Sequence, residues 1–232
     1  SYGVSYANER KQFGVSISSF GAIQQKLAEM TTKTWVAESA VYRAGQDIEN
    51  HIIRLQEGGM SSAEAKLKGV EEYAIECAIL KVLGSEVGSY VADEGIQIYG
   101  GMGYSADAPM EQAYRDVRIA RIYEGTNEIN RLHSVAMLLK KALKGEMDLM
   151  SPAMKVAGEL MEIPSFDTPD YSVLFAEEKE IIEKLKKSIL MVAGKAVETF
   201  GMDLEAEQEI IMNAAEMLIE VYAAESGILR AE

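Results

Sequence analysis

The six residues Tyr123-Glu124-Gly125-Thr126-Asn127-Glu128 put a carboxylate, a glycine and a hydroxyl in one sharp break between two helical stretches, 111–122 and 129–143. Gly125 lets the backbone turn where a side chain would obstruct it. Thr126 is a good N-cap for the second helix, and Glu128 adds negative charge to its first turn, where the helix dipole favours it. Glu124 is thereby fixed at a helix junction. A carboxylate held partly out of water has its pKa raised and becomes a usable base near neutral pH. Spacing alone favours a plainer reading, a solvated loop glutamate beside an ordinary cap.

Other residue groups carry weaker signals. Gln97 precedes Gly100-Gly101-Met102-Gly103. Such glycines let backbone N–H groups approach a phosphate closely. They follow a helix rather than a strand, so they are no dinucleotide fingerprint of the strand-turn-helix kind. A helix stop is the default. Arg10 can grip phosphate oxygens with a planar fork, although Glu9-Arg10-Lys11 by itself is a charged helix end. Arg115, Arg118 and Arg121 recur every three residues, as on a solvated face laced with Glu111 and Asp116. No chemistry is assigned to them. His51 and His133 lack a glutamate three residues earlier, where Ile48 and Asn130 stand, so the di-iron pattern is missing. No metal site is expected, and there is no serine-nucleophile motif, Cys-x-x-Cys or P-loop.

The elements that must position these groups are helices. The chain has 232 residues, 48% of them hydrophobic, enough for one large or two small domains. Only four prolines interrupt a composition rich in Ala, Leu, Glu, Lys and Met. Residues 1–9 read as the last turns of a helix that began earlier, so the chain reads as a piece of a longer one. Over 20–56, Ile23, Leu27, Met30, Thr34, Ala37, Val41, Ala44, Ile48, Ile52 and Leu55 recur at helical spacing. Gly58-Gly59 stops this helix, and Ser61-Ser62-Ala63-Glu64 is a capping box for the next. That next helix is expected to run to Tyr99. Together these make an antiparallel all-α helical bundle over residues 1–145. Residues 145–172 hold three of the four prolines and read as a linker with room for a short helix. Two helices over about 175–200 and 204–229 close the chain as a smaller helical extension, 146–232. The first is expected to bury the stripe Ile181, Leu185, Ile189, Val192 and Ala196.

Net charge is −14. Residues 1–150 carry 16 basic and 20 acidic side chains, against 7 and 17 in 151–232, so the tail holds most of the excess. Nucleic-acid binding needs a concentrated positive face and is not expected. An acidic tail is repelled by anionic lipid, and no stretch is long and apolar enough to span a membrane. No signal peptide opens the chain. The single cysteine, Cys77, excludes an internal disulfide and suits a reducing compartment. It reads as a small core residue.

Taken in order, several motifs resemble the C-terminal helical domain of the acyl-CoA dehydrogenases. They are Tyr6-Ala7-Asn8-Glu9-Arg10-Lys11-Gln12-Phe13-Gly14, Phe20-Gly21-Ala22-Ile23-Gln24, Gln97-Ile98-Tyr99-Gly100-Gly101-Met102-Gly103-Tyr104, Arg115-Asp116 and Arg121-Ile122-Tyr123-Glu124-Gly125-Thr126. The resemblance covers about residues 1–145. It implies an FAD-dependent enzyme that oxidises a fatty acyl-CoA to the trans-2-enoyl-CoA. Glu124 would take the α-proton, and Gly125 would lie against the thioester. Thr126 and Glu128 would meet the flavin. Arg10 would hold the FAD pyrophosphate across a subunit interface, with Gln12, Phe13, Gln97, Gly100 and Gly101 as further cofactor contacts.

Where the family has a glutamine after the Phe20 position, this chain has Gly21, which removes one contact. Phe20-Gly21, Glu124-Gly125-Thr126-Asn127 and the long tail look like the very-long-chain type. That resemblance implies a homodimer whose extension packs where other members dock a second dimer. It also implies an electron-transfer flavoprotein as electron acceptor, and a bacterial cytoplasmic or mitochondrial-matrix setting. The chain alone, with only the helical half of the site, is expected to be inactive. The rival readings are an acyl-CoA oxidase and a catalytically retired assembly or scaffold protein of the same fold.

Overall fold

Strong helix formers and a few backbone breaks set the element order. A computed structural model describes residues 2–159 and 170–232; the rest of the expected linker, 160–169, lies outside the described residues. α1 spans Tyr2–Glu9, followed by a hairpin of β1 (Lys11–Gln12) and β2 (Val15–Ser16). Then come α2 (Gly21–Glu57), α3 (Ser62–Glu72), α4 (Ala74–Tyr99), α5 (Gly101–Tyr104), α6 (Pro109–Arg118), α7 (Asn127–Leu143), α8 (Met150–Glu159), α9 (Ala176–Phe200) and α10 (Gln208–Ala231). The all-α expectation holds, the two-residue strands being the exception among the described residues.

The glycine breaks fall where the sequence put them. Gly59 has φ +90° after α2, and Gly201 has φ +53° after α9. Ser61 caps α3: its Oγ accepts from the Glu64 N–H at 3.4 Å and donates to Glu64 Oε2 at 2.7 Å. One break was not expected. The helix over 62–99 is two helices, parted at Tyr73, whose N–H turns back to Val70 O at 3.2 Å. No Gly or Pro marks this place. Packing on α2 coincides with it instead. A Cβ on Gly69 would lie 2.3 Å from Ile52, and the Tyr73 ring meets His51 edge-on at 6.0 Å.

The chain packs as two compact units, residues 1–38 with 81–127, and residues 39–80 with 128–232. The first has a core of Ala7, Ile17 and Ile98, flanked by Tyr6, Phe20, Ile23, Leu27 and Met30. Its α4 and α6 approach closely at Gly95, where a Cβ would lie 2.8 Å from Met110 Sδ. The expected α2 stripe is largely on the packed side, with Ala37, Ala44 and Ile52 buried. Val41 is an exception at 50% exposure, and Ala40 is buried instead. Thr34 is also exposed. Over ten turns the straight stripe drifts around the helix.

In the second unit, α7 and the end of the chain share a core. Val135, Leu204, Ile211 and Ala215 are buried there, with Leu132, Leu139, Ala196 and Phe200 against them. Each of the three larger side chains contributes roughly 1.5–3 kcal/mol before entropy is subtracted. Ion pairs add specificity. Glu225 of α10 joins Arg43 of α2, at 2.9 Å, to Lys186 of α9. Burial pushes the Glu225 carboxyl up, but these two cations outweigh burial and hold it below the usual range.

The stripe expected on α9 is corrected. Ile181, Leu185 and Val192 are 48%, 42% and 40% exposed, while Ile182 is 5% exposed. The packed face runs through Ile182, Ile189, Ala193, Ala196 and Phe200. α9 carries apolar residues on more than one face, and packing against α8 and α10 selects the one that is buried; Ile189 and Ala196 of the expected stripe lie on it.

Glu76, in the first turn of α4, is a polar group this core leaves in difficulty. Its Oε2 is buried without a hydrogen-bond partner among the described residues. Burial raises its pKa, with Glu72 and Asp47 adding to the rise and Lys141 opposing it. A carboxyl raised in the folded state loses stability as pH climbs from its unfolded value, near 4.5, through the raised value. Glu76→Gln is therefore expected to raise the melting temperature at pH 7, with the gain vanishing below about pH 4.5. Melting curves at pH 4 and pH 7 measure this; an equal shift at both would refute it. Cys77 is half-buried, and burial pushes its thiol up, as for a core residue.

Candidate active site

The turn that carries Glu124 grows from the end of α6. A 3-10 turn, Ile119–Arg121, follows α6, and the Ile122 N–H closes it on Ile119 O at 2.8 Å. Glu124 then takes φ +57° and Gly125 φ +81°, both left-handed. Gly125 adopts this freely, but a glutamate there stores of order 1–3 kcal/mol of strain. Among the described residues only Phe13, Glu124 and Phe175 are non-glycine residues with positive φ. Two of the three stand in the motifs singled out above. Thr126 immediately precedes α7, which begins at Asn127.

One expectation needs correction here. The Glu124 side chain is exposed, not held partly out of water by its own helices. The physical reason lies in the residues around it: the turn is pulled inward at positions 125 and 127, which leaves 124 facing out.

That inward pull comes from residues to which the sequence reading gave no role. Lys81 Nζ donates to Gly125 O at 2.6 Å and to Asn127 Oδ1 at 2.8 Å. Asn127 is 1% exposed. Its Nδ2 donates to Ser85 Oγ at 3.0 Å and to Glu86 Oε1 at 3.1 Å. Lysine only donates and carboxylate only accepts, so the partners fix the amide's orientation. Arg121 pairs with Glu86 at 3.6 Å. The one available signal was Lys81, Ser85 and Glu86 falling on one face of α4, a pattern common on any helix.

A second group gathers at the other end of α4. Tyr6 stacks on Tyr99 with ring centroids 4.0 Å apart, and its hydroxyl donates to Tyr99 O at 3.2 Å. This pins the end of α1 beside the end of α4. Arg10 follows one turn after Tyr6, its N–H bonded to Tyr6 O at 2.8 Å. The hairpin then pairs Gln12 with Val15 across a two-residue turn, Phe13-Gly14, with φ +53° and +86°. Such a turn needs positive φ at both positions and is normally built from Gly, Asn or Asp. Here it holds Phe13 at 92% exposure. Arg10, Gln12 and Gln97 are exposed. Gly100, at φ +60°, and Gly101 have open space where side chains would stand. A guanidinium, two carboxamides, bare backbone and an exposed ring form a donor set that fits a phosphate-bearing ligand with a planar group.

Lys81 and Gln97 lie 16 residues apart on α4, so the two groups are separated by about 24 Å along a straight helix. Between α4 and α6 an open cleft of about 910 Å³ is lined by Asp93, Ile96, Tyr104, Tyr114, Arg118 and Ile122, among others. Arg115 pairs with Glu111 at 2.6 Å, in keeping with the solvated face expected there. Glu128 is exposed in the first turn of α7 and belongs to the second unit.

Comparison with known proteins gives the family. Two family models, each described as the acyl-CoA dehydrogenase C-terminal domain, match residues 3–139 and 184–232. A probable acyl-CoA dehydrogenase of Bacillus subtilis is 42% identical over 227 residues, covering 98% of this chain and 38% of that protein. The mitochondrial very long-chain specific acyl-CoA dehydrogenase of Macaca fascicularis is 40% identical over 145 residues, 62% of this chain and 18% of that protein. The crystal structure of an acyl-CoA dehydrogenase complexed with FAD from Bacillus anthracis superposes with a TM-score of 0.88 at 44% identity, over 98% of this chain and 38% of that one. The chain thus spans about two fifths of the length of its Bacillus relatives. With a family model covering more than half of its residues, the chain belongs to the acyl-CoA dehydrogenase family.

Proposed function

We propose that this chain is the C-terminal helical part of a flavin-dependent acyl-CoA dehydrogenase. Residues 1–145 carry the base and half of the flavin site, and 146–232 form a helical extension. The reaction removes two hydrogens from the α and β carbons of a fatty acyl-CoA thioester to give the trans-2-enoyl-CoA. The observation that carries this reading is the left-handed backbone at Glu124, held in place inside a motif that resembles the family's. FAD, when bound, supplies the acceptor for the β-hydride.

Glu124 accepts the α-proton on a carboxylate oxygen. Gly125 leaves room for the thioester beside it. The Thr126 hydroxyl and Glu128 would contact the flavin when it is bound. At the far end of α4, Arg10 would hold the pyrophosphate of bound FAD, with Gln12, Phe13, Gln97, Gly100 and Gly101 as further contacts. By the family resemblance, Arg10 would serve the cofactor of the partner subunit in a homodimer. An electron-transfer flavoprotein then takes the electrons. The Bacillus relatives favour a bacterial over a mitochondrial setting.

The test uses the full-length gene product. It is expected to purify with FAD, and anaerobic addition of short-, medium- and long-chain acyl-CoA should bleach the flavin with at least one of them. A protein that binds FAD yet is reduced by none would overturn the reading. Rapid peroxide formation in air would replace the electron-transfer flavoprotein with oxygen as acceptor.

A further inference from the structure

We propose that Lys81 is a positioning residue for Glu124, acting through a clamp it forms with buried Asn127. This rests on the reading of Glu124 as the base. Glu124 occupies a backbone conformation that a glutamate does not hold unaided, so the surroundings must over-determine it. On both sides of it the turn is tied to α4. Arg121 is drawn to Glu86, the Gly125 carbonyl to Lys81, and Asn127 to Lys81, Ser85 and Glu86.

Lys81 is the member that reaches both sides. One ammonium bonds the carbonyl directly after Glu124 and the side chain of the first residue of α7. The first bond fixes the plane of the Gly125–Thr126 peptide. The second ties that plane to a side chain with 1% exposure, which cannot shift without breaking two further bonds. Both bonds have a charged donor and are stronger than neutral ones. Without the ammonium, a backbone carbonyl and a buried amide oxygen each lose a charged donor, although the Ser85 hydroxyl stays 3.1 Å from the amide oxygen. The turn can then relax toward ordinary φ, carrying Glu124 with it.

In the FAD-loaded full-length gene product, Lys81→Met keeps the aliphatic stem and removes the ammonium. Flavin reduction by acyl-CoA, measured per bound FAD, is expected to slow about tenfold to a hundredfold, as for a reacting group displaced by about 1 Å. KM and FAD content should change little. Lys81→Arg, which keeps a charged donor, should restore most of the rate. Lys81→Gln, a neutral donor on a shorter stem, should fall between, and serves if the methionine variant does not fold. In a Glu124→Gln background, Lys81→Met should cost nothing further.

A lower melting temperature with an unchanged rate per bound flavin would make Lys81 merely structural and overturn the proposal. So would additive losses in the double variant. The two readings fail differently. Slow Glu124→Gln with full-rate Lys81→Met removes the clamp alone. Full-rate Glu124→Gln removes the base, and the clamp with it.

Discussion

Glu124→Gln in the full-length gene product is expected to keep near-normal FAD content while slowing acyl-CoA-dependent flavin reduction by at least ~10²-fold, the low end for general-base catalysis. Glutamine preserves the shape of the side chain and removes its capacity to accept a proton. The clamp beneath the turn grips the Gly125 carbonyl and the Asn127 side chain, so the turn itself should survive. Stopped-flow bleaching of the flavin is the measurement. Because it reads a single turnover, it separates proton abstraction from later electron transfer. An unchanged reduction rate would end the assignment.

The second large effect is expected at Arg10. Its side chain is exposed beside a strained hairpin, with no ion-pair partner among the described residues. A solvated helix end needs no such hairpin. If Arg10 holds a cofactor phosphate across a subunit interface, Arg10→Ala should lower FAD per chain and loosen the dimer together. Arg10→Lys should rescue poorly, since an ammonium lacks the planar fork that matches two phosphate oxygens. FAD released on denaturation and mass in solution give the two readings. Full flavin retention in the alanine variant would return Arg10 to an ordinary charged surface.

Much of this molecule was legible in the residues alone, because much of it is decided locally. Helix composition, the glycines at 58–59, 100 and 201, and the cap at Ser61 act within a few residues of themselves. The elements begin and end close to where those residues stand. The break at Glu124-Gly125 is of the same kind. A glycine between two helical runs announces a turn whatever surrounds it. The motifs also gave the family, since their order and separations carry over from one chain to another without any knowledge of packing.

Tertiary contacts decided the rest. Of the α9 stripe Ile181, Leu185, Ile189, Val192 and Ala196, only Ile189 and Ala196 lie on the packed face, which runs on through Ile182, Ala193 and Phe200. Packing against α8, α10 and the 3-10 turn Gly201–Ala206 chose the buried face. The break at Tyr73 has no helix-breaking residue and coincides with the close approach of Gly69 to Ile52. Lys81 and Asn127 stand 46 residues apart, and each reads alone as an unremarkable helix residue. Hydrophobic spacing and turn chemistry are properties of neighbours along the chain. Which face is buried, and which distant lysine grips a strained carbonyl, depend on what folding brings alongside. That is why the sequence located the Glu124 turn, and only the folded chain revealed what holds it.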